Sequence, residues 1–125
     1  MSEDVRRRGM EVRRAVLGDA HVDRSVAAKT PFNEEFHDIF LNRYTWGEIW
    51  TRPGLDRRTR SMITVAMLIA LNREEELALH LRGALNNGVN KDEIKEVLLQ
   101  SAIYCGVPAA NTAFRVAATV FAETG

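Results

Sequence analysis

The chain has 125 residues, 46% of them hydrophobic and 27% charged, with eight glycines and three prolines. This excludes a disordered, collagen-like or low-complexity polymer and fits one compact domain spanning 1–125. Seventeen Lys and Arg balance seventeen Asp and Glu, so no net field draws in nucleic acid or an anionic membrane, and any anion recognition has to be local.

A single cysteine, Cys105, excludes an internal disulfide, a two-cysteine redox cycle and a cysteine zinc cluster. The basic start, Arg6-Arg7-Arg8, has no apolar core behind it, which argues against a secretory signal. The longest apolar run, Met62 to Leu71, is about half the length of a membrane span. These features predict a cytoplasmic protein with no membrane segment.

No stretch alternates strictly between apolar and polar residues, and the breaks between periodic segments are short, so the expectation is an all-α protomer of about six helices. The first runs from about Glu3 to Leu17 and stops at Gly18-Asp19. Ala20 to Lys29 reads as irregular. Thr30-Pro31 then offers a cap followed by proline at the first helical position, with Phe32, Phe36, Ile39 and Phe40 at helical spacing to about Arg43.

Gly47 and Pro53-Gly54 interrupt the next stretch, which also holds both tryptophans, Trp46 and Trp50. Four residues apart, these form an aromatic wall on a helical turn, or pack into a core or interface. Asp56 can cap a helix from Arg57 to about Leu71 whose second half is apolar nearly all round, as a central buried helix would be. Asn72 to Glu75 and Asn90 to Glu93 both have capping-box spacing, and each opens a helix. Gly106 stops the second of these, and Pro108 begins a last helix with a stripe of Ala113, Val116, Ala117 and Val120.

Of three histidines, His80 alone falls in a strongly helical, largely apolar segment, with Glu76 one turn before it. Partial desolvation and a neighbouring carboxylate act in opposite directions on an imidazole's proton affinity, which suits a residue there to give or take a proton near neutrality. A core histidine bonded to backbone is the other reading. Arg73, Glu76 and His80 share a face, and Glu76 with His80 also fits a solvated helix pair. Neither His-Glu-x-x-His nor paired Glu-x-x-His segments occur, so no metal is expected.

A guanidinium grips carboxylates bidentately, and Arg57 and Arg58 begin a helix, where backbone N–H groups also favour anions. The N-terminal arginines read as a solvated face or a subunit contact. Cys105 reads as a small buried hydrophobe.

The run from Asn72 to Gly88, with Asp92 to Val97 and Tyr104-Cys105-Gly106-Val107-Pro108, resembles the carboxymuconolactone decarboxylase family. Trp46 to Arg60 is similar to its γ-carboxymuconolactone decarboxylase branch, and the likeness extends from about Gly9 to Glu123. The resemblance implies an alkyl hydroperoxidase D-like helical subunit in a homohexamer, decarboxylating a small dianionic lactone in protocatechuate breakdown without a cofactor. It points to His80 as proton donor or dienolate stabiliser, Arg57 or Arg58 on a carboxylate, Arg73 also binding substrate, Glu48 or Glu76 orienting partners, and Trp46 and Tyr104 lining the pocket. The related peroxidase branch carries Cys-x-x-Cys where this chain has Arg73 and Glu76, so thiol peroxidase chemistry is lost. The alternatives are a helical oligomer serving as a binding module, or an enzyme for another lactone.

Overall fold

The computed structural model of the protein describes residues 2–123; Met1, Thr124 and Gly125, at the ends of the expected 1–125 domain, lie outside the described residues. All regular structure among them is helical. The chain divides into two compact units, Met1–Asp56 and Arg57–Gly125.

In the N-terminal unit, α1 (Ser2–Leu17) packs on a π-helix (His37–Ile49), with α2 (Asp19–Ala27) and a short turn of helix, α3 (Glu34–Phe36), between them. Burial of Val12, Val16, Leu17, Val22, Trp46 and Trp50 holds the unit together. The stretch expected to be irregular, Ala20 to Lys29, is instead mostly α2. Two things favour helix there: Val22 has a fully buried position to fill, and Arg14 reaches over from α1 to Asp19 at 3.0 Å and Asp23 at 2.9 Å. Arg13, one of the N-terminal arginines expected on a solvated face or at a subunit contact, is buried, with Nη2 donating to Ser25 Oγ at 2.9 Å.

Thr30 and Pro31 do not start the next helix. The Thr30 N–H donates to Asn33 Oδ1 at 2.7 Å, closing a turn, and helix begins at Glu34. It also does not stop near Arg43 but continues in π geometry through Trp46 and Gly47, ending as the Trp50 N–H donates to the Thr45 carbonyl at 2.9 Å. Tertiary contact accounts for this: a Cβ on Gly9 of α1 would lie 2.6 Å from the Gly47 nitrogen, so two glycines let the backbones meet.

The C-terminal unit contains α4 (Arg57–Ala70), α5 (Glu74–Asn86), α6 (Lys91–Cys105) and α7 (Val107–Glu123). Its core takes Val65 and Ile69 from α4, Leu77, Leu81 and Ala84 from α5, Ile94 and Leu98 from α6, and Ala113, Val116, Ala117 and Val120 from α7. The α7 stripe is thus the one expected. The second half of α4 is not buried all round: Met67 is 59% and Leu71 64% exposed, because this unit covers only the stripe of Ser61, Val65 and Ile69. Of the two capping boxes one forms, at Asn90, whose Oδ1 accepts the Glu93 N–H at 2.8 Å while Glu93 Oε1 accepts the Asn90 N–H at 3.0 Å. At Asn72 the backbone turns left-handed, with φ at 57°, and Arg73 precedes α5 with no side-chain cap bond.

Candidate active site

The three-residue turn between α4 and α5 makes these helices antiparallel neighbours. Asn87 closes the far end, its Nδ2 donating to the buried Ser61 Oγ at 2.8 Å. His80 lies on α5 between the turn and this clamp. It sits at the margin of the buried stripe formed by Leu77, Leu81 and Ala84, partly buried, with Nδ1 shut off from solvent. The helix therefore holds a partly buried histidine with one ring nitrogen inside the fold. An imidazole is the side chain suited to give or take a proton near neutrality.

Glu76 shares α5 with His80 and Arg73 immediately precedes that helix; both stand exposed at its N-terminal end. Arg57 and Arg58, indistinguishable in sequence, part company in the structure. Arg58 donates to Glu93 through both Nη1, at 3.0 Å, and Nη2, and to the Gly88 carbonyl at 2.7 Å. Its guanidinium is committed to this chain's own carboxylate, and the same contact draws the Glu93 carboxyl down to a pKa of about 2. Arg57, at the first position of α4, is exposed. From the antiparallel register it lies roughly 10–15 Å along the helix axis from His80. Arg60 is more enclosed, with Nε closed off from solvent. Its signal was the spacing of three from Arg57, which puts both on one side of α4.

Tyr104 does not stand with His80. It lines, with Met62, Ile63, Ala66, Val97 and Cys105, a groove of about 570 Å³ between α4 and α6 whose ionisable residues are Glu93, Glu96, Tyr104 and Cys105. Of its carboxylates Glu93 is already paired with Arg58, and no lining residue is cationic, so the groove offers a dianion no uncommitted positive charge. The remaining two expected residues belong to the N-terminal unit. Trp46 is 3% exposed and stacks on Trp50, with ring centroids 4.9 Å apart, so core packing is what it does there. Glu48, about half exposed, faces Arg43 at 3.9 Å.

Comparison with known proteins adds an independent observation. The model of the carboxymuconolactone decarboxylase family matches residues 38–119. The 4-carboxymuconolactone decarboxylase of Acinetobacter baylyi is 50% identical over 119 residues, covering 95% of this chain and 88% of that protein. The nitrosuccinic acid decarboxylase of Metarhizium robertsii is 43% identical over 100 residues, 80% of this chain and 69% of its own. A 4-carboxymuconolactone decarboxylase of Pseudomonas putida is 52% identical over 40 residues, 32% of this chain and 81% of that one.

Proposed function

We infer that this chain, which belongs to the carboxymuconolactone decarboxylase family, is a carboxy-lyase that converts γ-carboxymuconolactone to β-ketoadipate enol-lactone and carbon dioxide. The observation that carries the reading is the likeness to named decarboxylases along nearly the whole chain. The placement of a partly buried histidine on α5 supports it.

The bond that breaks joins the departing carboxylate to the lactone ring. Its electron pair moves through the conjugated ring onto the lactone carbonyl oxygen, so the substrate is its own electron sink and no cofactor is required. A dienolate results, and a proton added to ring carbon completes the product. The protein has to hold the retained carboxylate, favour charge on the oxygen over charge on the departing group, and deliver the proton. His80 is the proton donor and dienolate stabiliser. Arg57 takes the retained carboxylate, since Arg58 is already engaged by Glu93. Glu76, on the same helix, and Arg73, just before it, tune the approach to His80; Glu48, Trp46 and Tyr104 are left with supporting roles in this reading.

The same reading has the chain working as one functional domain, in a homohexamer in the cytoplasm. The family match runs through the sequence of both units and supports the first point. The apolar side chains left exposed on α4 and α6 support assembly. No helix among the described residues is long and apolar enough to cross a membrane.

A second substrate class is favoured by the relative named for nitrosuccinic acid: a nitro group beside a carboxylate accepts the electron pair as a lactone carbonyl does, so the same donor chemistry serves both. The deciding experiment mixes purified protein with enzymatically generated γ-carboxymuconolactone, or with nitrosuccinate, and follows product and carbon dioxide, with His80→Gln alongside. Turnover of the lactone, reduced by orders of magnitude in a variant of unchanged assembly, is the expected result. Turnover of nitrosuccinate alone moves the assignment to that class. A folded protein that turns over neither overturns it.

A further inference from the structure

The arginines of α1 face carboxylates, with one exception. Arg6 pairs with Asp38, Arg7 with Asp4 and Glu11, Arg8 with Asp4, and Arg14 with Asp19 and Asp23, all within 3.4 Å. Arg13 has no such partner among the described residues. It is 4% exposed, and its Nη2 donates to a neutral group, Ser25 Oγ, at 2.9 Å. Nε and Nη1 are shut off from solvent without an acceptor.

A guanidinium has no neutral form to retreat to near neutral pH, so this charge stays where desolvation makes it costly. Burial, and after it the adjacent Arg14 cation, lower its proton affinity, and no carboxylate among the described residues acts the other way. A cation buried in this manner calls for an anion beside it.

The surroundings select the kind of anion. Gly9, Val16 and Leu17, three and four positions from Arg13 on α1, are buried, and so is Val22, three residues before Ser25 on α2. An ion enclosed there has to be small and has to exchange its water shell for apolar walls. A weakly hydrated monovalent anion does so at far lower cost than sulfate or phosphate. Ser25 spends a lone pair on Arg13 and keeps its hydroxyl hydrogen, which adds an O–H donor to the free N–H groups.

We propose that Arg13 and Ser25 bind a chloride-sized monovalent anion inside the N-terminal unit, where it supplies the counter-charge that holds α2 against α1. Such an ion is structural, and the decarboxylation chemistry does not call on it.

The test is unfolding of the natural chain in urea at fixed ionic strength and protein concentration, with sodium gluconate replaced stepwise by sodium chloride. The midpoint is expected to rise with chloride, the folded-to-unfolded ratio gaining about tenfold for each tenfold of chloride once the site is filled. Amide hydrogen exchange in α2 is expected to slow in parallel. Sulfate at matched ionic strength should do less than chloride, whereas a general salt effect on burial favours sulfate. Arg13→Met is expected to lose the chloride dependence and, in gluconate, to match or exceed the natural chain, because the desolvated charge is gone. Ser25→Ala is expected to keep a weaker dependence, and it decides the matter if Arg13→Met fails to fold. A midpoint indifferent to chloride overturns the proposal. So does a chloride dependence that Arg13→Met retains, or that Ser25→Ala leaves unaltered, or one that sulfate equals. An assembly indifferent to chloride that dissociates on Arg13→Met would give the counter-charge to a carboxylate of another copy, and the anion site would fall.

Discussion

Arg58 in the first turn of α4 grips the Glu93 carboxylate, and the same carboxylate accepts the Asn90 N–H that begins α6. The Arg58–Glu93 pair thus fastens the start of α4 to the start of α6, and the Arg58 bond to the Gly88 carbonyl adds the α5–α6 connection. Its carboxyl is held at about 2 against an ordinary 4.5, first by the Arg58 hydrogen bonds and then by the Asn90 N–H. The folded state therefore binds this proton less readily than the unfolded chain. The resulting stability is complete above about pH 4.5 and is lost as pH falls toward 2. Urea midpoints measured across that range are expected to fall more steeply for the natural protein than for Glu93→Gln, which starts lower at pH 7. Parallel curves would mean that Glu93 contributes nothing through its charge.

The same bond separates the two arginines functionally. Arg58→Gln is expected to lower the unfolding midpoint, because it releases Glu93 and the Gly88 carbonyl together. Arg57→Gln is expected to leave the midpoint nearly unchanged and to reduce kcat/KM for γ-carboxymuconolactone about 10–100-fold, the equivalent of one charged hydrogen bond worth about 1.5–3 kcal/mol. The loss should fall mainly on KM if Arg57 holds the carboxylate that stays on the substrate. Unchanged kinetics in Arg57→Gln would transfer that role elsewhere, with Arg60 the next to test.

The all-helical class was legible because apolar residues recur at helical spacing and turn signals such as Gly18, Asn87-Gly88 and Gly106 separate them. His80 stood out for the same reason, as a polar residue on a stripe that the fold does bury. What the sequence could not display was set by contacts between distant residues. The π-helix through Trp46 depends on Gly9 meeting Gly47, 38 positions apart, with no local signal. Ala20 to Lys29 looked irregular because only Val22 anchors it. The choice between Arg57 and Arg58 was decided by Glu93, 35 residues beyond Arg58.

That glycine contact carries its own consequence. A Cβ at Gly9 would come within 2.6 to 2.9 Å of the Gly47 nitrogen, the Gly47 Cα and the Asn42 carbonyl, all of them backbone atoms with no flexible end to move. Gly9→Ala is expected to cost about 1–3 kcal/mol of stability by urea denaturation. Gly54→Ala, where nothing lies within 4 Å, is expected to stay within about 0.5 kcal/mol. Equal effects at the two sites would show that α1 can back away from the π-helix at no cost.

Asn72 and Asn90 stand before the same Asn-x-x-Glu spacing yet do different things. Asn90 is extended and caps α6 through Oδ1, whereas Asn72 occupies the left-handed region and spans the turn between α4 and α5. Glycine tolerates that region without penalty and alanine does not. Asn72→Gly is therefore expected to be neutral or slightly stabilising, and Asn72→Ala to cost about 1 kcal/mol through backbone strain. At Asn90 the loss belongs to the side chain: Asn90→Ala is expected to cost about 1 kcal/mol, and Asn90→Gly less, because glycine is itself an acceptable cap. Thermal or urea unfolding of the four variants separates the two causes. An Asn72→Gly variant as damaged as Asn72→Ala would mean that the Asn72 side chain, and not its backbone angle, secures the turn.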